Sequence, residues 1–443
     1  MNIHFIGIGG IGVSALARYY LKKGYKISGS DLVDSEIIKD LKKMGAKIFV
    51  GEHKRENVPK DTKMIIYSPA INFKNPELKE FVGKNKKSNI RILSYPEALG
   101  ELTKKYFTIA VCGSHGKSTT SSMIGLLLIK AGFDPTVIIG TKLKEFKNSN
   151  FREGKGKYLV IEADEWHESF LNYFPKIIII TNIDKEHLDY YKNFKNVLNA
   201  FKKFAKKLPK DGVLILNKDD KNILKNSFSK IIKKTLFYSL KQEESEKIKK
   251  ILKIPGKHNI SNALAVLVLA RALNIDDKVS FKAISQYKGS WRRFEEKKLE
   301  IKNFNLRIIS DYGHHPTEIE ATLKAAREKF PKKRIWLIFQ PHQYQRTYYL
   351  FNDFVKVFLK APVDKIIIVD IYDVLGREKK QIKKKVSSLK LVKAINKKSV
   401  IYLKKEKVIS YLKKNLKNED VILIMGAGDI YSLSGELSKS FDK

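Results

Sequence analysis

Cysteine is almost absent: Cys112 is the only one in 443 residues, which excludes an intrachain disulfide and a cysteine-clustered metal site. Long apolar runs are missing as well. Ile177–Ile180 and Ile124–Ile129 fall far short of the about 20 residues that a membrane helix requires, so membrane insertion is not expected. Met1 leads directly into the strand-like Asn2-Ile3-His4-Phe5-Ile6, which does not resemble a signal peptide, so a cytoplasmic protein is expected. Acid is scarce, with 47 Asp and Glu against 87 Lys and Arg and a formal net charge of +40. Arginine is scarcer still, at 12 of those 87. The lysines come in scattered pairs and triples with few aromatics between them, whereas a nucleic-acid groove concentrates arginine and stacking aromatics on one face. The composition therefore describes a lysine-rich solvated surface that attracts polyanionic substrates, with no nucleic-acid partner expected. Neither a tandem repeat nor a low-complexity linker is visible.

What is present is enough apolar residue, 43%, to fill several cores, and at about 150 residues per domain the length suggests roughly three. Short strands alternate with helical patterns throughout, which implies parallel pairing and an α/β fold. The reading is three α/β segments in series: residues 1–103, 104–290 and 291–443. Strands are expected at Ile3–Ile6, Tyr25–Gly29, Lys47–Val50, Met64–Tyr67 and Arg91–Leu93 in the first segment. The second has Tyr106–Val111, Tyr158–Ile161, Ile177–Thr181 and Val213–Asn217, closed by a helix at Ser261–Leu273. The third has Arg307–Ser310, Ile335–Phe339, Lys365–Val369 and Val421–Met425. The polar stretch Lys241–Lys250 reads as a surface excursion.

Two glycine turns follow strands. Gly113-Ser114-His115-Gly116-Lys117-Ser118-Thr119 has two residues between Gly113 and the Gly-Lys pair, where the common phosphate loop has four. Its context is still that of a phosphate site: a strand for anchorage, glycines that let backbone N–H groups turn inward, and a helix N-terminus behind. Lys117 suits the β- and γ-phosphates, Ser118 suits Mg²⁺, and His115 reads as loop. The plainer alternative is a strand-to-helix turn with a solvated lysine. Gly7-Ile8-Gly9-Gly10-Ile11-Gly12 fits the dinucleotide fingerprint, with Asp31 about 20 residues on. A glycine turn and helix dipole bind a diphosphate whatever it carries, so a nucleotide-sugar fits as well as a dinucleotide, and tight strand–helix packing alone remains open.

Further clusters lie at strand ends. Glu162, Asp164 and Glu165 end one strand, and Asn182, Asp184 and His187 follow another, placing carboxylates where a phosphate loop needs a metal ligand. Asn259 and Asn262 sit three apart at a helix start, where Asn259 is either an N-cap or, with Asn262, a partner for an adenine edge. In the third segment come Arg292-Arg293-Phe294-Glu295, Asp311-Tyr312-Gly313-His314-His315 and Phe339-Gln340-Pro341-His342 with Arg346. Adjacent His314 and His315 point to opposite faces of a regular strand, and no cysteine or H-E-x-x-H accompanies them, which argues against zinc.

Taken together these stretches resemble the Mur ligases, ATP-dependent enzymes of peptidoglycan precursor synthesis and hence of cell-wall biogenesis, cell shape and division. HFIGIGGIGVSALA, GSHGKSTT, EADE, TNIDKEHLDYY, PGKHNISNALA, RRFE, DYGHHPTEIEATL and IMGAGDI occur in family order from residue 4 to 430. The family's phosphate loop is the compact form, so nothing is missing from this one. The resemblance implies a Rossmann-like UDP-sugar domain, a central P-loop ATPase domain and a C-terminal Rossmann-like amino-acid domain. It is strongest to members that join L-alanine to the lactyl carboxylate of UDP-N-acetylmuramate through an acyl phosphate. A tripeptide-recycling ligase and, further off, an NAD-dependent oxidoreductase are the alternatives.

It also implies residue roles, with ATP and Mg²⁺ as cofactors. Gly113 to Thr119 with Asn259, Asn262, Arg293 and Asp311 would bind ATP, and Ser118, Glu162 and His187 would hold Mg²⁺. Lys117, Glu162, His187, Arg293 and Asp311 would carry catalysis. Gly9, Gly10, Gly12, Asp31 and Ser68 would contact the UDP portion, and Tyr312, His314, His342 and Arg346 the amino acid. A monomer or weak homodimer is expected. The chain departs from the family pattern at Gln343, Trp166-His167 and Pro69.

Overall fold

The computed structural model describes residues 1–82, 90–301, 304–374, 378 and 380–441. Its elements build three sheets. The first holds Asn2–Ile6 (β1), Lys26–Asp31 (β2), Lys47–Val50 (β3), Thr62–Tyr67 (β4) and Arg91–Ser94 (β5), in the order β3-β2-β1-β4-β5 and parallel throughout. The second holds Phe107–Cys112 (β6), Thr136–Leu143 (β7), Ser149–Arg152 (β8), Tyr158–Glu162 (β9), Ile177–Ile180 (β10), Val213–Asn217 (β11) and Thr235–Tyr238 (β12). Its order is β12-β11-β10-β6-β9-β7-β8, and only β8 runs antiparallel to its neighbour. The third holds Glu295–Ile301 (β13), Phe304–Asp311 (β14), Ile335–Phe339 (β15), Lys365–Ile368 (β16), Val400–Tyr402 (β17) and Val421–Met425 (β18). Here the order is β13-β14-β18-β15-β16-β17, with β13 antiparallel to β14.

The α/β class with mostly parallel sheets is therefore as expected, with two corrections. Five strands (β7, β8, β12, β13, β17) were not anticipated, and two of them break the parallel rule. Lys241–Lys250 lies mostly at the surface, but it holds the helix Glu244–Ile251, which buries Ser245 and Ile248.

The chain divides into two compact units. One comprises 1–184, 195–242 and 262–284, and so contains the first two sheets; the other comprises 185–194, 243–261 and 285–443. Within the first unit the helix Ile11–Lys22 lies against the β7–β8 hairpin, where Asn150 Nδ2 donates to Ser14 Oγ at 2.9 Å and Tyr19 meets Phe151 edge-on at 6.2 Å. In the second unit the sheet is covered on both faces. Ile309, Leu337 and Leu423 pack with Leu323 and Phe354 on one side, while Ile308, Ile338 and Ile422 pack with Val408 and Leu433 on the other. Alternating residues of one strand feed two cores, which is why these strands are apolar at every position. Among the described residues no helix is long and apolar enough to cross a membrane.

Candidate active site

β6 delivers the glycine turn. Gly113 has φ +132° and Gly116 φ +83°, backbone conformations that L side chains rarely adopt. Space forbids a side chain at either position: a Cβ on Gly113 would lie 2.1 Å from Thr181 Oγ1, and one on Gly116 2.6 Å from Asn262 Oδ1. Neighbours brace the loop. His115 N–H donates to Asn182 Oδ1 at 2.9 Å, and Thr181 Oγ1 donates to His115 O at 2.6 Å. His115 Nε2 lies 3.1 Å from Asp184 Oδ2, so His115 belongs to the loop's bracing. The helix Lys117–Lys130 starts at Gly116, and its first-turn N–H groups lack intrahelical acceptors and face the loop mouth.

Lys117 Nζ donates to Gly113 O at 2.7 Å and to Glu165 Oε2 at 2.8 Å. Burial alone would lower its pKa, but Glu165, then Asp164 and Glu162, carry it above the ordinary lysine value. The ammonium is thus permanently charged and aimed along the loop. Next to it Ser118 Oγ donates to Glu162 Oε2 at 3.0 Å, while Glu162 Oε1 accepts Gly140 N–H at 2.6 Å. Two of the expected metal ligands are therefore adjacent oxygens, the donor type that Mg²⁺ prefers.

The second glycine turn is equally tight. Asp31 Oδ2 accepts Gly9 N–H at 2.8 Å and its Oδ1 accepts Val33 N–H at 3.2 Å, so the carboxylate read as a ribose partner fastens the loop. Gly10 caps the helix Ile11–Lys22, and a Cβ on Gly12 would lie 2.8 Å from the Tyr95 ring. Ser68, just past β4, gives its N–H to Ile6 O at 2.9 Å. Beside it opens a cleft of about 440 Å³ lined by Tyr67, Pro69, Ile71, Phe73, Pro96 and His167, among others. His167 and Glu168 both adopt left-handed conformations, φ 53° and 54°, which re-aims the chain at the Trp166-His167 departure.

In the second unit Asn259 is the third residue of the helix Lys257–Ala272. The N-cap alternative for it is thereby overturned: its Nδ2 donates to Pro255 O at 2.6 Å. His187 precedes the short helix Leu188–Tyr191 with φ 53°. Asp311 Oδ2 accepts Phe294 N–H at 2.9 Å and Oδ1 accepts Gly313 N–H at 2.8 Å. Its burial raises its pKa, against Arg293 and these amides. Arg293 lies 4.9 Å from the Tyr312 ring centroid, between Arg292 (φ 56°) and Phe294 (φ 50°).

Tyr312, His314, His342 and Arg346 do come together. The His314 ring is 5.4 Å from Tyr312 and 5.7 Å from His342. Burial and then Arg346 push the His314 pKa down to about 4, so its imidazole is neutral at pH 7. Arg346 Nη1 reaches His342 O at 3.2 Å, and Nη2 reaches the buried Glu186 at 3.3 Å. Burial alone would raise the Glu186 pKa, yet the Arg346 guanidinium outweighs it and holds the carboxyl well below the carboxylate range. Glu186 and Thr181 received no role from the sequence, and Glu165 was read there only as one of three strand-end carboxylates. All three stand inside quoted motifs, and what hid their roles was the absence of any sign of their partners.

A compact phosphate loop on a parallel sheet, with a charged lysine and an adjoining oxygen pair, defines a P-loop nucleotide-dependent enzyme of the three-sheet α/β type. Three family models match: the Mur ligase family catalytic domain over residues 2–107, the Mur ligase middle domain over 111–270, and the Mur ligase glutamate ligase domain over 292–428. This chain belongs to the Mur ligase family. It is 42% identical to UDP-N-acetylmuramate–L-alanine ligase of Clostridium tetani, over 98% of this chain and 97% of that one. It is 41% identical to the ligase of the same name from Acetivibrio thermocellus, over 98% and 95%. The crystal structure of UDP-N-acetylmuramate-alanine ligase MurC from Thermotoga maritima superimposes with a TM-score of 0.82 at 27% identity, covering 100% of this chain and 99% of that one.

Proposed function

We propose that this protein is an ATP-dependent ligase that joins L-alanine to the lactyl carboxylate of UDP-N-acetylmuramate. The observation that carries the reading is end-to-end similarity, 42% over 98% of the chain, to a ligase of that name. The chemistry available at the phosphate loop is consistent with it. In this reading residues 1–103 take the UDP-sugar, 104–290 take ATP and 291–443 take the amino acid. The UDP moiety lies over Gly9, Gly10 and Gly12 with Ser68 and the cleft beside Tyr67, and ATP lies over Gly113 to Thr119 with Asn262 at the loop.

The lactyl carboxylate attacks the γ-phosphorus, the β–γ bridging bond breaks, and ADP leaves with that electron pair. Lys117, already charged and shared with Glu165, stabilises the negative charge on the transferring group. Mg²⁺ held by Ser118 and Glu162, with His187 as the further expected ligand, would supply additional charge neutralisation there. The alanine amine then adds to the acyl carbon, and phosphate departs to leave the amide. Arg293 and Asp311 serve the nucleotide from the C-terminal segment, and Asn259 serves it from the central one. Because Glu186 occupies Arg346 Nη2, Arg346 acts through His342 and the pocket's shape, and does not clamp the amino-acid carboxylate with both arms. Neutral His314 offers a hydrogen-bond acceptor without repelling the ammonium form of the amino acid.

A coupled ADP-release assay across a panel of amino acids tests this. ADP should appear only when UDP-N-acetylmuramate and L-alanine are both present. Equal turnover with the tripeptide L-Ala-γ-D-Glu-meso-diaminopimelate, or ADP release indifferent to the sugar, would remove the reading.

A further inference from the structure

Six mutually adjacent strands of the central sheet, β12-β11-β10-β6-β9-β7, run parallel and start at the same edge, the one away from the phosphate loop. Five of them have a lysine at or shortly before their start, Lys234, Lys207, Lys176, Lys104 and Lys157 for β12 to β9 in that order, with Lys207 in the turn that leads through Asp211 to β11; β7 follows Asp134-Pro135 instead. Neighbouring strands are about 4.8 Å apart, so the row is about 19 Å long. None of the five makes an ion pair among the described residues, whereas lysines elsewhere in the same unit do, as in Lys23–Glu153 and Lys203–Glu168. At the middle of the row Phe174, just before β10, is 42% exposed. Lys104 Nζ lies 4.5 Å and Lys207 Nζ 4.3 Å from its ring centroid. Two like charges are thus held over one exposed aromatic with no anion between them. Lys207 carries the mark of this: burial and then Lys104 lower its pKa.

We propose that this edge of the central sheet is a docking face for an anionic lipid bilayer surface. The row consists of lysines, flexible point charges that suit a diffuse field of headgroups, and it contains no arginine fork of the kind that reads phosphates or bases individually. Arg152, which pairs beside the start of β7, is committed to Asp134 and Pro135 O. The Phe174 ring among the ammonium groups gives the apolar contact that interfacial segments place at headgroup depth, while the lysine stems extend around it. Docking here turns the phosphate loop outward, because β6, about 20 Å long, separates Lys104 from Gly113. Substrate access and surface attachment are therefore compatible. This inference is independent of the ligase reading.

The test is co-sedimentation of the full-length protein with large unilamellar vesicles. Vesicles of phosphatidylcholine containing about one-third phosphatidylglycerol should bind it, pure phosphatidylcholine should not, and raising salt from about 0.05 to 0.5 M should release it. At about fivefold per lysine near the surface, the variant Lys104→Gln/Lys176→Gln/Lys207→Gln should partition about a hundredfold less, with ADP release unchanged. The charge-matched variant Lys332→Gln/Lys356→Gln/Lys398→Gln, on the other unit, should bind like the parent. If both triple variants lose binding equally, the effect is net charge alone and the proposed face is wrong. If the parent does not distinguish the two vesicles, or if a duplex DNA oligonucleotide binds more tightly through the same three lysines, the lipid assignment is overturned.

Discussion

Removing the Lys117 side chain takes away more than a phosphate contact, because Glu165, only 1% exposed, faces the same ammonium at 2.8 Å. Lys117→Ala should abolish ADP release and, against the simple expectation of an undisturbed fold, cost about 3 kcal/mol of stability by removing the cation that faces a buried carboxylate. The double variant Lys117→Met/Glu165→Gln separates the two effects. Its melting temperature should return most of the way to the parent's while turnover stays lost; recovered turnover would mean that Lys117 has no role in phosphoryl transfer. A second buried carboxylate makes a prediction in pH. Glu77, fully buried, accepts His4 Nε2 at 2.9 Å, His53 Nδ1 at 2.9 Å, Ser30 Oγ at 2.6 Å and Asn57 Nδ2 at 2.8 Å. Burial pushes its pKa up, but these four donors win and hold it far below the ordinary carboxylate value. A depressed folded pKa stabilises the fold at neutral pH and loses that stabilisation as pH falls below about 4.3, the unfolded value. Glu77→Gln, which turns an amide NH₂ toward donors, should cost about 2–3 kcal/mol at pH 7. In urea titrations that gap should narrow toward pH 3. A gap constant with pH would mean that the carboxyl is already neutral in the native protein.

The phosphate loop is an element positioned by two others, and this makes Gly116 a sharper probe than any of its side-chain neighbours. Gly116→Ala meets two obstacles, φ +83° and Asn262 Oδ1 at 2.6 Å from the new Cβ, so ATP binding should fall by at least about tenfold, the equivalent of 1–2 kcal/mol of backbone strain. Adding Asn262→Ala removes the steric obstacle together with Asn262's own ATP contact, so measured against Asn262→Ala alone it should recover only part of the affinity, read by displacement of a fluorescent nucleotide; full recovery to the Asn262→Ala level would show that φ is no constraint. That loop was legible in the sequence because strand, glycines, lysine and helix are contiguous. Ile177–Ile180, Val213–Asn217, Ile335–Phe339 and Val421–Met425 were legible because strands buried on both faces are continuously apolar. Glu295–Ile301, which reads EEKKLEI, was not, since an edge strand carries its charges outward and pairs only because β14 lies beside it. Thr136–Leu143 is interrupted by Gly140, whose presence is explained by Glu162: a Cβ there would be 2.9 Å from Glu162 Oε2. Partners far apart in sequence were invisible for the same reason. Nothing local to Glu186 announces Arg346, 160 residues on, and nothing near Glu77 announces His4, 73 residues away.

For the molecule as a whole the dominant quantity is charge. With 87 basic against 47 acidic side chains, at least 40 cations have no carboxylate of their own, and their mutual repulsion is largest in the compact state. Ion pairs work in the opposite sense, but those seen at the surface, such as Lys324–Glu320 and Arg271–Asp277, join exposed groups and contribute about 0–1 kcal/mol each. Salt weakens both terms, and the repulsion reaches over many neighbouring lysines whereas each pair is local. Raising sodium chloride from about 0.05 to 0.5 M shortens the screening length from roughly 14 to 4 Å, which leaves adjacent pairs partly intact while it suppresses repulsion between lysines a strand or a turn apart. The melting temperature should therefore rise by several degrees over that range, equally with potassium chloride and not with an uncharged solute of matched osmolarity. If it falls, local ion pairs outweigh the global excess, and the lysines are arranged so that each is answered by a carboxylate, contrary to the row of five along the central sheet.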